Sequence, residues 1–184
     1  MLIAIISAVI IVIIIVYFVA IYNSFISMRN GVEEAFSTMD VYLKKRYDLI
    51  PNLVETVKGY AKHEKSTLEN VTAARNNAMD AKSMEETLAA QGGLTETLGK
   101  LFALAESYPD LKANTNFLDL QNQLNQIETE IAQSRKYYNA IVRQFNTKVE
   151  SFPSNIIASM FKFVRKPMYE VDDEQERQNV KVEF

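Results

Sequence analysis

The chain has no cysteine, no tryptophan, one histidine, five glycines and four prolines in 184 residues. Without cysteine there is no disulfide framework and no thiolate site for zinc, iron–sulfur or redox chemistry. Glycine and proline this sparse speak against a turn-rich β architecture. No charge excess exists either: 20 Lys and Arg stand against 23 Asp and Glu. Binders of nucleic acid need a basic face to displace counterions from phosphate, so nucleic acid is not an expected partner.

What is present is one long apolar run. All of residues 1–22 except Ser7 are hydrophobic, and Leu2 to Tyr22 carries no charged side chain. At 1.5 Å per residue, about 20 residues cross a hydrocarbon core of roughly 30 Å. Ile and Val are weak helix formers in water, but in lipid a single span must satisfy its backbone internally, which only a helix does. Tyr17, Phe18 and Tyr22 fall at the end of the run, where aromatic rings suit the interface. A cleaved signal peptide would need a basic start, a shorter core and a small-residue cleavage site. Tyr22-Asn23-Ser24-Phe25 is a poor site, so residues 1–22 are expected to be an uncleaved single-pass anchor. Only the α-amine precedes the span, whereas Arg29, Lys44, Lys45 and Arg46 follow it. The positive-inside rule then favours the N-terminus outside and the domain in the cytoplasm over the reverse.

Beyond the anchor, apolar residues recur at helical spacing with almost no strand-like alternation. Phe25, Met28, Val32, Ala35, Met39 and Tyr42 follow 3-4 steps, which predicts that the spanning helix runs on into the domain. A second stripe reads Ile50, Val54, Val57, Ala61, Glu64, Leu68 and Val71. The strongest is Phe117, Leu120, Leu124, Ile127, Ile131, Ser134, Tyr138, Ile141 and Phe145, a heptad pattern like a coiled-coil seam. Pro51 predicts either a bend in one long helix or a chain reversal. Gln91-Gly92-Gly93 marks a break or a weak spot, Ser107 to Asp110 a turn, and Asn114-Thr115-Asn116 a cap for the longest helix. Phe152-Pro153-Ser154 ends that helix, and Asn155 to Phe163 reads as a short one. The expected fold is all-α: a single transmembrane helix over 1–22, an antiparallel four-helix-type bundle over 23–163 and a charged tail over 164–184.

A search for catalytic chemistry finds little. His63 begins His-Glu-Lys-Ser-Thr, so the zinc pattern H-E-x-x-H fails at Thr67, and a di-iron bundle would need further histidines. Gly93, Gly99 and Lys100 have the wrong spacing for a phosphate loop, and Leu101 stands where Ser or Thr is required. Neighbouring carboxylates such as Glu33 and Glu34 diverge by about 100° on a helix. No enzyme, cofactor, metal or small-molecule substrate is expected.

Two segments suit binding. Arg46, Asp48, Asn52, Glu55, Lys58, Tyr60 and His63 form either an ordinary charged helix surface or a partner-binding surface. Phe152, Phe161, Phe163, Arg165 and Lys166 form either a helix capping the bundle or a membrane contact, since aromatics beside basic residues suit a bilayer surface.

The sequence resembles the LemA family of bacterial membrane proteins along nearly its whole length. The resemblance is carried by Tyr22-Asn23, Arg29-Asn30, the run from Arg46 to Glu55, Lys58-Gly59-Tyr60-Ala61 and His63-Glu64. Glu106 to Ala113, Asn116-Phe117, Arg135, Tyr138-Asn139, Phe152 to Asn155 and Val180 to Phe184 extend it. It implies an N-terminal anchor in the bacterial inner membrane, the N-terminus outside and a long-helix bundle. It supplies no activity, since the family has no agreed biochemical function. Some relatives are associated with magnetosome membranes, and members often lie near genes for membrane proteases. The expected role is a non-enzymatic membrane scaffold that self-associates or recruits membrane-protein partners. The alternative is a lipid-binding or membrane-remodelling protein working through residues 152–166.

Overall fold

The computed structural model describes residues 1–169, which contain six helices and no strand. These are α1 (Leu2–Tyr60), α2 (Lys65–Met79), α3 (Met84–Ala105), α4 (Pro109–Lys112), α5 (Thr115–Glu150) and α6 (Ser154–Met160). The all-α expectation holds, and the spanning helix does run on: α1 is a single helix of 59 residues. Its apolar beginning is long enough to cross a bilayer, and none of that stretch is buried against the protein. The described residues form two compact units, one of residues 1–37 with 136–168, the other of residues 38–135 with Tyr169.

The first unit joins the start of α1 to the end of α5 and to α6. Phe25, Val32 and Ala35 from α1, Tyr138, Val142 and Phe145 from α5, and Ile157 and Ala158 of α6 are all buried and form its core. Phe25 is its hub: it stacks on Phe163 at 4.8 Å and meets Phe145 edge-on at 6.1 Å. Such ring pairs contribute roughly 0.5–1.5 kcal/mol each beyond the area they bury. Ser154 donates its hydroxyl to the carbonyls of Lys148 and Ser151, satisfying acceptors that the end of α5 leaves open. Within residues 164–168, the start of the expected charged tail, Asn146 bonds both the amide and the carbonyl of Lys166, and the Tyr138 hydroxyl donates to the carbonyl of Pro167 at 2.7 Å. Burial pushes that phenol up to about 12. Residues 170–184, the rest of the expected tail, lie outside the described residues.

In the second unit the chain reversal is not at Pro51. Helix α1 passes through Pro51 to Tyr60, and a turn at 61–64 then leads into α2. Proline in a helix interior removes the N–H that would reach the carbonyl four residues back, here that of Tyr47. Arg75 of α2 fills the gap, donating Nε–H to the Tyr47 carbonyl at 2.8 Å. The expected helix from Pro51 past Leu68 is therefore two pieces, the end of α1 and α2.

Gly92 and Gly93 do not break α3 either. Two glycines cost a helix about 1 kcal/mol each, but Leu94, Leu98, Leu101 and Ala105 bury its inner face, at roughly 1.5–3 kcal/mol per large apolar side chain. Its start is fixed by a reciprocal cap in which Ser83 accepts from the Glu86 amide and the Glu86 carboxylate accepts from the Ser83 amide. Asn114 caps α5 as expected, accepting from the Phe117 amide at 3.0 Å. Along α5 the heptad stripe divides. Phe117, Leu124, Ile131, Tyr138 and Phe145 are buried, whereas Leu120, Ile127 and Ile141 are half-buried.

The contact between Arg75 and Tyr47 predicts an unequal double-mutant cycle. Arg75→Ala should cost about 1–3 kcal/mol in the wild-type background, because it leaves a carbonyl without its donor. In a Pro51→Ala background, where a helical N–H returns, the cost should fall below about 1 kcal/mol. Thermal or urea unfolding of the four proteins measures it, and equal costs would refute the repair.

Candidate functional site

The two predicted surfaces lie in different units. In the second unit, Asp48, Asn52, Glu55, Lys58, Tyr60 and His63 are all exposed. Lys58 pairs with Glu55 at 3.0 Å, and the Tyr60 hydroxyl accepts from Asn114 at 2.9 Å. Arg46 does not share their surface. It is 1% exposed, one of the largest fully buried side chains in the protein.

The reason is its register. Met39, Leu43, Arg46, Ile50, Leu53 and Val57 follow 4-3-4-3-4 steps and are all buried, so Arg46 holds a core position of α1. Gln91 holds the same kind of position on α3, in step with Leu94, Leu98 and Leu101, and is fully buried. A buried charge is costly unless paired and hydrogen-bonded. Arg46 Nη2 donates to Thr95 Oγ1 at 2.8 Å and Nη1 to Gln91 Oε1 at 3.4 Å. Its Nε lies 2.8 Å from Glu128 Oε1, but the N–H is not aimed along that line, so this contact is an ion pair rather than a linear hydrogen bond. Gln91 in turn donates to the Tyr47 hydroxyl and to the carbonyl of Thr87.

Electrostatics follow this geometry. Burial raises the Glu128 carboxyl, while Arg46 and Arg135 pull it down. Burial also raises the phenols of Tyr47 and Tyr169, keeping both neutral at physiological pH. The Arg135 guanidinium sits 5.2 Å from the centre of the Tyr169 ring. The result is a polar layer inside an apolar unit, suited to fixing which helix faces which. Among the described residues no three His, Asp or Glu side chains converge as a metal site would require.

Sequence reasoning missed Gln91, Thr95 and Glu128 as partners of Arg46, and Tyr47 and Tyr169 as members of the surrounding layer. One signal for it exists, a cation on the buried heptad stripe of α1. The 3-4 stripe that ends at Tyr42 leaves that face, and the next stripe begins only at Ile50.

In the first unit the predicted membrane-contact residues divide. Phe152 is 80% exposed, and Phe161 packs against Tyr22 at 4.6 Å and Phe18 at 5.9 Å. Phe163 is half-buried on Phe25. Arg165 pairs with Glu150 at 3.1 Å, and the Lys166 backbone is held by Asn146. Within the segment Ile157 and Ala158 are buried, whereas Phe152, Ile156 and Met160 are exposed.

The pattern that defines the LemA family matches residues 35–184. The chain belongs to the LemA family. It is 24% identical to magnetosome proteins MamQ 1 and MamQ 2 of Paramagnetospirillum magneticum, over 81% of this chain. It is 28% identical to protein LemA of Metamycoplasma hominis, over 79% of this chain and 68% of that protein. The chain spans 64% of the length of the MamQ proteins it matches. As a LemA-family chain with an exposed apolar helix of spanning length, this is a helical membrane protein.

The polar layer predicts an asymmetric response to mutation. Glu128→Ala leaves the buried Arg46 cation without its carboxylate and should cost about 3 kcal/mol, the low end for a broken buried pair because Glu128 is 39% exposed. Arg46→Met leaves Glu128 near Arg135 and open to water and should cost less. Chemical denaturation that ranks the two the other way would contradict this account.

Proposed function

We propose that this LemA-family protein is a non-enzymatic scaffold, held by its single span, whose helical domain self-associates or recruits membrane-protein partners. The observation that carries the reading is the outer stripe of α1 in the second unit. Val41, Lys45, Asp48, Asn52, Glu55 and Gly59 recur at 4-3-4-3-4 steps and are exposed at every position, opposite the buried stripe that holds Arg46. A face this long, of mixed charge and backed by a fixed core, suits protein contact. Asp48, Asn52, Glu55, Lys58, Tyr60 and His63 form the proposed surface. Relatives named as magnetosome proteins agree with a role in a larger assembly.

Light scattering on the intact, detergent-solubilised chain tests this. The expected result is a species larger than a monomer, or a stoichiometric membrane-protein partner, reduced by Asp48→Lys/Glu55→Lys. A strict monomer without a partner overturns it. The cations following the span favour a cytoplasmic domain. Protease added outside intact cells should then leave residues 38–135 uncut, and their digestion would reverse the orientation.

A second reading, contact of residues 152–166 with the bilayer, is favoured by one observation. Phe152, Ile156 and Met160, each four residues apart, are 80%, 54% and 60% exposed in the unit that contains the span.

A further inference from the structure

The first unit holds a cavity of about 200 Å³ beside the end of the span. Its cationic lining is Arg29, Lys162 and Lys166, its aromatic lining includes Tyr22, Phe161 and Phe163, and no carboxylate lines it. Three cations share this open space with no acidic side chain among its lining, an arrangement that favours an anion over a cation. The volume is below the roughly 300–1,000 Å³ of sites for drug-sized ligands and suits a smaller group.

Depth relative to the membrane follows from helix arithmetic. Tyr22 closes the apolar run, and Phe161 packs on Phe18 and Tyr22, so the aromatic side of the cavity lies at the end of the hydrocarbon. Arg29 lies two turns further along α1, about 10 Å at 1.5 Å per residue. Headgroups occupy about 5–8 Å beyond each face of the hydrocarbon core, and an arginine or lysine stem easily covers the remaining distance.

The backbone at Lys162 supplies a second, independent observation. Helix α6 ends in a motif in which the Phe163 amide bonds the Ala158 carbonyl at 2.9 Å and the Lys162 amide bonds the Ser159 carbonyl at 3.3 Å. That motif needs a left-handed residue, and Lys162 takes it at φ 57°, the one non-glycine at positive φ among the described residues. Glycine is the usual occupant because a side chain there crowds the following carbonyl oxygen. A lysine in its place is explained when its ammonium has work in the cavity it lines.

We propose that Arg29, Lys162 and Lys166 bind the phosphoryl group of an anionic lipid headgroup in the leaflet where the span meets the domain. This rests on the reading that residues 152–166 touch the bilayer. Two measurements on the intact chain keep the two ideas apart. A spin label at Ile156→Cys, unique in this cysteine-free chain, reports immersion in phosphatidylcholine and phosphatidylglycerol nanodiscs. Native mass spectrometry then counts phosphatidylglycerol against phosphatidylcholine retained on protein released from detergent.

The expected results are an immersed label and a preference for phosphatidylglycerol that falls about tenfold or more in Arg29→Gln/Lys162→Gln/Lys166→Gln. The control Lys44→Gln/Lys45→Gln/Lys65→Gln, with the same charge change, should keep the preference, as should Ile156→Cys. A label in water overturns the bilayer contact and the headgroup site with it. An immersed label with the preference unchanged in the triple variant, or equally lost in the control, overturns the headgroup site alone. So does retention of inorganic phosphate, dependent on the same three residues, without any lipid preference. Should the triple variant unfold, Lys162→Gly, which suits the backbone at that position, gives the same readout with the fold relieved of strain.

Discussion

A guanidinium on the buried stripe of a helix constrains everything packed against it. Arg46 cannot be left alone, since a charge taken out of water must be matched by partners that give back what hydration supplied. In the second unit this demand is met from two other helices, by Gln91 and Thr95 of α3 and by Glu128 of α5. Sliding α3 by one residue would turn Gln91 away and bring an apolar or glycine position to the cation. Leucines would tolerate several registers, but this layer tolerates few. The layer is thus better understood as a device for specificity than as a source of stability.

Pro51 shows the same economy on the backbone. An interior proline normally ends a helix, yet here one side chain from the next helix supplies the missing donor. Tyr47 and Arg75 lie equally far in sequence from Ala61, where the turn after α1 begins. The hairpin of α1 and α2 brings them together, so the tertiary contact and the helix continuity depend on each other. The Tyr47 ring joins the polar layer through Gln91 while its carbonyl receives Arg75, tying both features to one residue.

Much of this was legible in the sequence. The apolar run, its continuation through Phe25, Val32 and Ala35, the long α5 and the Asn114 cap all follow from hydrophobic period and capping chemistry. The errors came from local signals overruled by distant partners. At Pro51 the sequence left a bend in one long helix or a chain reversal open, because the substitute donor, Arg75, is 24 residues away in sequence. Whether Gly92 and Gly93 break the helix or only weaken it was open, because their cost is local while the burial of Leu94 and Leu98 belongs to the packed unit. Arg46 was placed on a surface because charged residues mostly belong there. Only the full stripe from Met39 to Val57 reveals it as buried. For residues 152–166 the sequence pattern did not show the division between buried Ile157 and exposed Ile156.

Asn146 and Lys166 show how one residue can answer two demands without compromise. The asparagine amide grips the Lys166 main chain at both its N–H and its carbonyl, much as a neighbouring strand would. The fold therefore recognises this position by its backbone, which all residues except proline offer alike. Structural duty rests on the main chain, and the side chain is left to selection for other purposes. A side chain other than proline at this position would leave both main-chain bonds to Asn146 available, so the charge presented there can change without loss of that anchor.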